Sequence, residues 1–374
     1  MHSIFQSLWL AAMAALLPLV PAVAQSAPGT LHVDAFDLPL SGFLNPQARE
    51  AEIGIQHDFA NLMHSCPLKL GELTTPDRVR QFRTCWDAQR FQPMAAEMRA
   101  RYKVDIQPRA LGGVNTEVIM PAQGVSPENA DRVLINVHGG GFFSGARWAA
   151  QLEAVPIAAT GRIKVVAIDY RLAPEARFPA ASEDLAAVYQ ALLKDYRPQN
   201  IGIYGCSAGG LITAEGIAWF VKQRIPLPGA IGVLCYGALP DLGGDSETIN
   251  GRISGIRPLA SPDRERTITY FADRDLVDPL AFPALDDQLL ARFPPTLLIS
   301  STRDLWLSNT VETHRRLIRA GVDAELHIWE GLGHGFFVYS NTPAGPESYD
   351  IINRFFKSHL GTSQTKVQQK LSAK

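Results

Sequence analysis

Ile201-Gly202-Ile203-Tyr204-Gly205-Cys206-Ser207-Ala208-Gly209-Gly210 is the stretch on which the fold turns. An apolar run ends at Tyr204, and a helical run from Leu211 to Val221 starts directly after it. Between them, Gly205-Cys206-Ser207-Ala208-Gly209 matches G-x-S-x-G, which between a strand and a helix reads as a nucleophile elbow. The bare pattern arises by chance about once in ten chains of this length, so the flanks carry the specificity. The turn is so tight that Cβ atoms two residues either side of the serine would collide. Gly205 and Gly209 remove them and leave Ser207 strained at the strand end.

Outward from the elbow, short apolar runs recur at Val133–Val137, Val165–Ile168, Ile231–Leu234, Thr296–Ile299 and Leu326–Trp329. Near-continuous apolar strands suit a parallel sheet covered on both faces. Val104–Gln107 and Val114–Met120 read as an earlier strand pair. The intervening segments are long enough for crossover helices. Glu183–Asp195 sets Leu185, Val188, Leu192 and Leu193 on one stripe. Ser308 is placed to cap a helix whose Val311, His314, Leu317 and Ile318 share a face, with Gly321 as its stop. The alternation predicts an α/β fold, a mostly parallel doubly wound sheet. Between Tyr236 and Pro294 the rhythm breaks for over fifty residues, and an excursion of that length reads as an inserted helical cap at about 237–294 rather than a loop.

Two further loops suit the same chemistry. His138-Gly139-Gly140-Gly141-Phe142 follows a strand directly, and three glycines let backbone N–H groups converge on one point. An acyl-transfer intermediate needs such donors where its oxygen becomes negative, so Gly140, Gly141 and Ala208 are the candidate oxyanion donors. Alone, the loop would read as a glycine-rich turn. The candidate base is His334, in Gly331-Leu332-Gly333-His334-Gly335 after the last strand. Its competitor, His327, lies inside that strand and reads as a packing residue. For the acid, Arg303-Asp304-Leu305 and Arg274-Asp275-Leu276 look alike. Asp304 follows the last strand before the histidine, which gives the chain order Ser207, Asp304, His334, whereas Asp275 would leave one strand too many.

With Asp169-Tyr170-Arg171-Leu172-Ala173-Pro174-Glu175 and Phe178-Pro179-Ala180 added to these motifs, the chain resembles the hormone-sensitive-lipase-like family of α/β-hydrolase esterases from about Val133 onward. The resemblance implies the α/β-hydrolase fold, a Ser207–Asp304–His334 triad, a small-molecule ester or lactone substrate and no cofactor. The Asp-Tyr-Arg-Leu-Ala-Pro-Glu run is expected to brace the core beside the elbow. One position departs from the pattern. Cys206 stands where the family usually has Asp or another small polar residue, and it is placed to approach Cys235. Phe142, Phe143, Trp148 and Trp306 neighbour the motif residues and are candidates for lining the substrate site, against the plainer reading that they pack the core. A lactone hydrolase, an amidase or peptidase, and a non-catalytic ligand-binding relative are the competing readings, since fold alone does not fix function.

Composition agrees with a globular domain: 46% hydrophobic residues, 19% charged and a net charge of −2 across 374 residues argue against a nucleic-acid binder. Ile4–Val20 is apolar and is followed by Ala22-Val23-Ala24, which predicts a signal peptide over 1–24 and an exported, periplasmic or secreted protein. The run is short for a membrane anchor, so no integral membrane segment is expected after cleavage. Residues 25–102 then form a lead-in or N-terminal cap, and 103–374 the catalytic domain with its insertion. Export permits disulfides, and Cys66 with Cys85 is the natural pair, two buried thiols being the alternative. No C-x-x-C, H-E-x-x-H, Walker A or G-x-G-x-x-G occurs, so neither a metal nor a nucleotide cofactor has support from the sequence.

Overall fold

The computed structural model describes residues 31, 35–68, 72–73, 75–240, 243–253, 270–271 and 276–361. The expected leader and its cleavage site lie outside these residues, as does Asp275. Leu40–Lys374 forms one compact unit. Met1–Pro39 is a separate unit, and its described residues, 31 and 35–39, carry no helix or strand. No described helix is long and apolar enough to cross a membrane.

Helices α1 (Pro46–Ser65), α2 (Pro76–Trp86) and α3 (Gln92–Arg101) precede the sheet. Asn45 and Thr75 cap the first two through their side chains, each with proline in the first turn, where its missing N–H costs nothing. Cys66, at the end of α1, is joined to Cys85 of α2 by a disulfide. A π-helical turn at Asp87–Phe91 links α2 to α3.

The sheet has eight strands: β1 (Val104–Leu111), β2 (Val114–Pro121), β3 (Val133–Val137), β4 (Lys164–Ile168), β5 (Ile201–Cys206), β6 (Ala230–Leu234), β7 (Thr296–Ser301) and β8 (Ala324–Trp329). Their order is β1-β2-β4-β3-β5-β6-β7-β8. β2 runs antiparallel to β1 and to β4, and all other pairs are parallel. Every residue of β3, β5, β6 and β7 is buried, as expected of strands covered on both faces.

Alternate side chains feed two cores. One side holds Ile135, Ile203 and Val233 under α5 (Ala180–Leu192) and α6 (Ala208–Gln223). The other holds Leu134, Tyr204 and Leu234 under α4 (Trp148–Gly161) and a C-terminal helix, Ala344–His359. Chain progression reverses direction at β3, since β4 lies on one side of it and β5 on the other. Such a switch point opens a crevice at the carboxyl ends of the strands. Val137 pairs with Gly205, so the loops after β3 and β5 leave the sheet at one level.

The excursion after β6 contains α7 (Asp245–Ile253), a turn at 270–271 and two short helical turns, Pro283–Leu285 and Asp287–Leu290. Residues 270–271 pair with no strand, which leaves Thr296–Ser301 as the strand before β8. One expectation is corrected in α8 (Leu307–Arg319). Ser308 lies inside the helix and Trp306 is its N-cap. Val311 and Ile318 are exposed, and the buried residues are Asn309, Thr310, Thr313 and Leu317. The buried side is polar because it meets backbone: Asn309 and Thr313 accept the N–H groups of Leu239 and Ala238, and the Thr310 hydroxyl donates to the Tyr236 carbonyl.

The Cys66–Cys85 bridge closes a loop of 19 residues. Serine at both positions is expected to lower stability by about 2–4 kcal/mol, the usual contribution of a loop this size. Thermal unfolding of the double variant against the oxidised parent checks it. Coincident curves would show that the helix pair is held by its packing alone.

Candidate active site

The elbow is built by its glycines. A Cβ on Gly205 or on Gly209 would overlap the Val137 carbonyl oxygen, and one on Gly205 would also strike the Gly209 backbone. Ser207 sits between them at φ 58°, ψ −126°, outside the usual regions for an L-residue, with its N–H bonded to the Leu234 carbonyl at 2.8 Å. It is half-buried at the start of α6, where the Ala208 N–H is one of the groups a helix leaves without an internal partner.

The loop after β3 presses against this turn. A Cβ on Gly139 would lie 2.9 Å from the Cys206 carbonyl oxygen and 3.3 Å from Ser207 Cβ. Gly140 and Gly141 follow at φ 120° and 63°, and their N–H groups have no protein acceptor among the described residues. Several contacts hold the loop. The Tyr170 hydroxyl donates to the His138 carbonyl at 2.9 Å, and the two rings stack 4.3 Å apart. The bracing expected of the Asp-Tyr-Arg-Leu-Ala-Pro-Glu run is therefore directed at the glycine loop. From α2, Arg83 donates to the carbonyls of Phe143 and Ala173 and pairs with Glu175 at 2.7 Å. Asp87 accepts the Gly145 N–H at 3.0 Å, and burial raises its carboxyl to about 6.

Asp304 and His334 are brought together across the ends of β7 and β8. Asp304 is fully buried, and its Oδ1 accepts from His334 Nδ1 at 2.9 Å and from the Trp306 N–H at 3.0 Å. Ser300 donates to Oδ2 at 3.1 Å. A carboxylate only accepts, so Nδ1 carries the proton and Nε2 is left as the acceptor. The two loops are stitched by Arg303 N–H to the Leu332 carbonyl at 3.1 Å and by Ser301 Oγ to the Gly333 carbonyl at 2.9 Å. The insertion supports the acid as well: Asn250 of α7 donates to the Asp304 carbonyl at 2.9 Å, and Ser246 donates to that of Leu305 at 2.8 Å.

His327, expected to pack, is 36% exposed on the edge strand, beside Glu325. Trp306 meets the His334 ring edge-on at 4.8 Å. Phe142 turns to the insertion, stacking on Tyr270 at 5.3 Å and meeting Phe271 at 5.2 Å. Phe143 turns the other way, onto Phe82 of α2 at 6.0 Å. Trp148 is stacked under Arg147 and Arg99 and packs with the core beneath α4.

Cys206 and Cys235 are free and buried, and burial pushes both thiols up. A Cβ on Gly335 would lie 3.7 Å from the Cys206 sulfur, so the histidine loop packs against the residue before Ser207. Cys235, Asp304 and His334 place one ligand-type atom each within 4.8 Å of one another, a grouping that sequence spacing does not reveal. Two of the three are already hydrogen-bonded to each other. A cavity of about 540 Å³ lined by Asn129, Thr160, Asn353 and Arg354 shares no residue with this site.

Reading motif by motif overlooks Arg83, Asp87, Asn250 and Ser246, which act from distant segments. It also overlooks Glu153, although a lone acid between Leu152 and Val155 in an apolar helix was a visible signal.

Residues 134–338 match the family model described as the alpha/beta hydrolase fold. The solved structure of esterase E25 is 31% identical and superposes with a TM-score of 0.77, covering 88% of this chain and 99% of its own. The chain belongs to the hormone-sensitive-lipase-like family of α/β-hydrolase esterases. A second structure, an esterase from the bacterial hormone-sensitive lipase family, is 25% identical with a TM-score of 0.72, covering 85% of this chain and 99% of its own. Among curated relatives, an esterase of Acinetobacter venetianus is 27% identical over 240 residues, which is 63% of this chain and 76% of the relative. An acetyl-hydrolase of Streptomyces hygroscopicus is 26% identical over 254 residues, 67% of this chain and 84% of the relative.

The elbow geometry gives a direct test. Gly209→Ala forces a Cβ into the Val137 carbonyl and is expected to cost about 3 kcal/mol, the upper end of what overpacking usually costs. Gly333→Ala, where a Cβ meets nothing within 4 Å, should stay within about 1 kcal/mol of the parent. Denaturant unfolding of both variants measures the contrast, and equal stability would refute the packing account of the elbow.

Proposed function

We propose that this protein is a serine carboxylic-ester hydrolase acting on short- to medium-chain acyl esters through an acyl-enzyme. Ester hydrolysis as the class of reaction comes with the family. The observation that carries the serine mechanism is the Asp304–His334 hydrogen bond at 2.9 Å, in a loop that packs at Gly335 against Cys206 of the strained Ser207 turn.

In this reading Ser207 Oγ attacks the ester carbonyl and His334 Nε2 takes its proton. Asp304 fixes the tautomer and stabilises the imidazolium. The tetrahedral oxyanion accepts hydrogen bonds from the N–H groups of Gly140, Gly141 and Ala208. The alcohol departs with the proton from His334. Water, deprotonated by the same imidazole, then attacks the acyl carbonyl and releases the acid. The short-chain preference is supported by the aromatic contacts of Phe142 with Tyr270 and Phe271, which bring the insertion over the glycine loop. Export is supported by the Cys66–Cys85 disulfide, a bond typical of oxidising compartments.

Ser207→Ala is expected to lower kcat by at least about 10⁴-fold with thermal unfolding unchanged, and Asp304→Asn by a similar order. Activity retained in a folded Ser207→Ala protein would remove the nucleophile assignment. Across p-nitrophenyl esters from acetate to palmitate, kcat/KM should peak at short or middle lengths. A steady rise to palmitate would mean an open, lipase-like site, and parallel lactone and anilide assays separate the neighbouring reactions. Intact mass of protein from its native compartment should correspond to a chain starting at Gln25, and a retained leader would contradict export by cleavage.

A further inference from the structure

Glu153 of α4 is buried among apolar neighbours, yet its carboxyl reaches both working loops. Its Oε1 accepts the Gly139 N–H at 2.9 Å. Its Oε2 accepts the Cys206 N–H at 3.1 Å and the Asn136 Nδ2–H at 2.9 Å. Gly139 immediately precedes the candidate oxyanion donors Gly140 and Gly141, and Cys206 immediately precedes Ser207. We propose that Glu153 is a positioning residue: one carboxyl group, bonded to the residue before the oxyanion donors and to the residue before the nucleophile, sets the distance between Ser207 and the oxyanion site. The inference rests on the serine-esterase reading above and assigns Glu153 no contact with substrate.

The arrangement holds in either protonation state. As a carboxylate, Glu153 accepts all three donors. Burial raises its carboxyl to about 8, so near neutrality much of it carries a proton that needs an acceptor. Asn136 Oδ1 is buried and has no hydrogen-bond partner, and turning that amide over presents Oδ1 to the Glu153 O–H. The Gly139 and Cys206 N–H bonds are unchanged by the turn. The titratable groups around it stay neutral through this range. Burial pushes the thiols of Cys206 and Cys235 and the hydroxyls of Tyr170 and Tyr204 up, and lowers His138 to about 4.

A purely packing role would not need this geometry. Oxyanion donors work only when aimed at the place where charge develops, and a misplacement of about 1 Å can lower the rate about 100-fold. Glutamine fills the same space but replaces one acceptor oxygen with a donor, so either the Cys206 or the Gly139 N–H loses its partner. The bridge is then cut at one end while the volume is kept.

The test compares parent, Glu153→Gln, Asn136→Ala and Ser207→Ala on p-nitrophenyl butyrate, with functional sites counted by a fluorophosphonate. Inhibition by an alkyl trifluoromethyl ketone, whose hydrate-like adduct places an oxyanion in the same donors, is measured beside it. For Glu153→Gln, kcat is expected to fall about 10- to 100-fold with KM within about threefold. The ketone should bind more weakly by the same factor as kcat/KM. A merely structural residue would lower the number of titratable sites and leave the kcat per site and the ketone affinity unchanged, and that result would overturn the proposal. Where Glu153→Gln yields no folded protein, Asn136→Ala decides. Freeing one anchor of the carboxyl should lower kcat per site about 3- to 10-fold with the same unchanged KM, and a parental kcat would overturn the proposal. Ser207→Ala separates the two levels of argument. If it stays active, the esterase reading and this inference fail together; if it is inactive while Glu153→Gln matches the parent, only this inference fails.

Discussion

The carbonyl oxygen of Val137 sets the spacing on which the site depends. It occupies the space that a Cβ at Gly205 or Gly209 would need, so the turn around Ser207 closes against the end of β3 with no side chain between them. Because β3 and β5 are in parallel register through Val137 and Gly205, the glycine loop emerges beside that turn rather than above or below it. The positive φ of Ser207 follows from the same closure and is held by the bond from its N–H to the Leu234 carbonyl.

Around this contact the polar groups are arranged so that buried donors meet acceptors. Asp304 has three donors and no exposure, and Glu153 likewise has three. A buried polar group lacking a partner is expensive, which makes such networks stiff: moving one member leaves another unsatisfied. The segments before β1 and after β6 reach the same network from outside. Arg83 and Asp87 hold the glycine loop from one side, and Ser246 and Asn250 hold the acid loop from the other. Each of these segments supplies hydrogen bonds to a loop that carries a candidate functional residue.

Most of the frame was legible in the sequence because strands buried on both faces leave a strong apolar trace. β3 to β8 fall where the apolar runs stand, β1 runs on to Leu111 beyond the expected Gln107, and the elbow is declared by Gly205 and Gly209. Counting strands leads to Asp304, and the structure places its carboxylate in a hydrogen bond with His334. The periodicity argument failed at α8, since Val311 and Ile318 are exposed while Asn309, Thr310 and Thr313 are buried. A helix that packs on irregular backbone buries polar groups, and apolar spacing does not register it. His327 is half-buried rather than enclosed, because β8 is an edge strand. Contacts such as Arg83 with Glu175, or Asn250 with Asp304, join segments far apart in the chain and leave no local pattern to find.

Ser41, at the start of the compact unit, donates to Glu330 in the loop that carries His334, across 289 residues of chain. The neighbouring Gly331 packs on Ser41 and Leu44. Contacts of that separation form late, because the entropy of closing so large a loop must be overcome before they contribute. During synthesis at roughly 5–20 residues per second, Ser41 is made about 15–60 s before its partner exists. The segment that flanks the histidine loop is therefore among the first parts of the unit to be produced and among the last to dock.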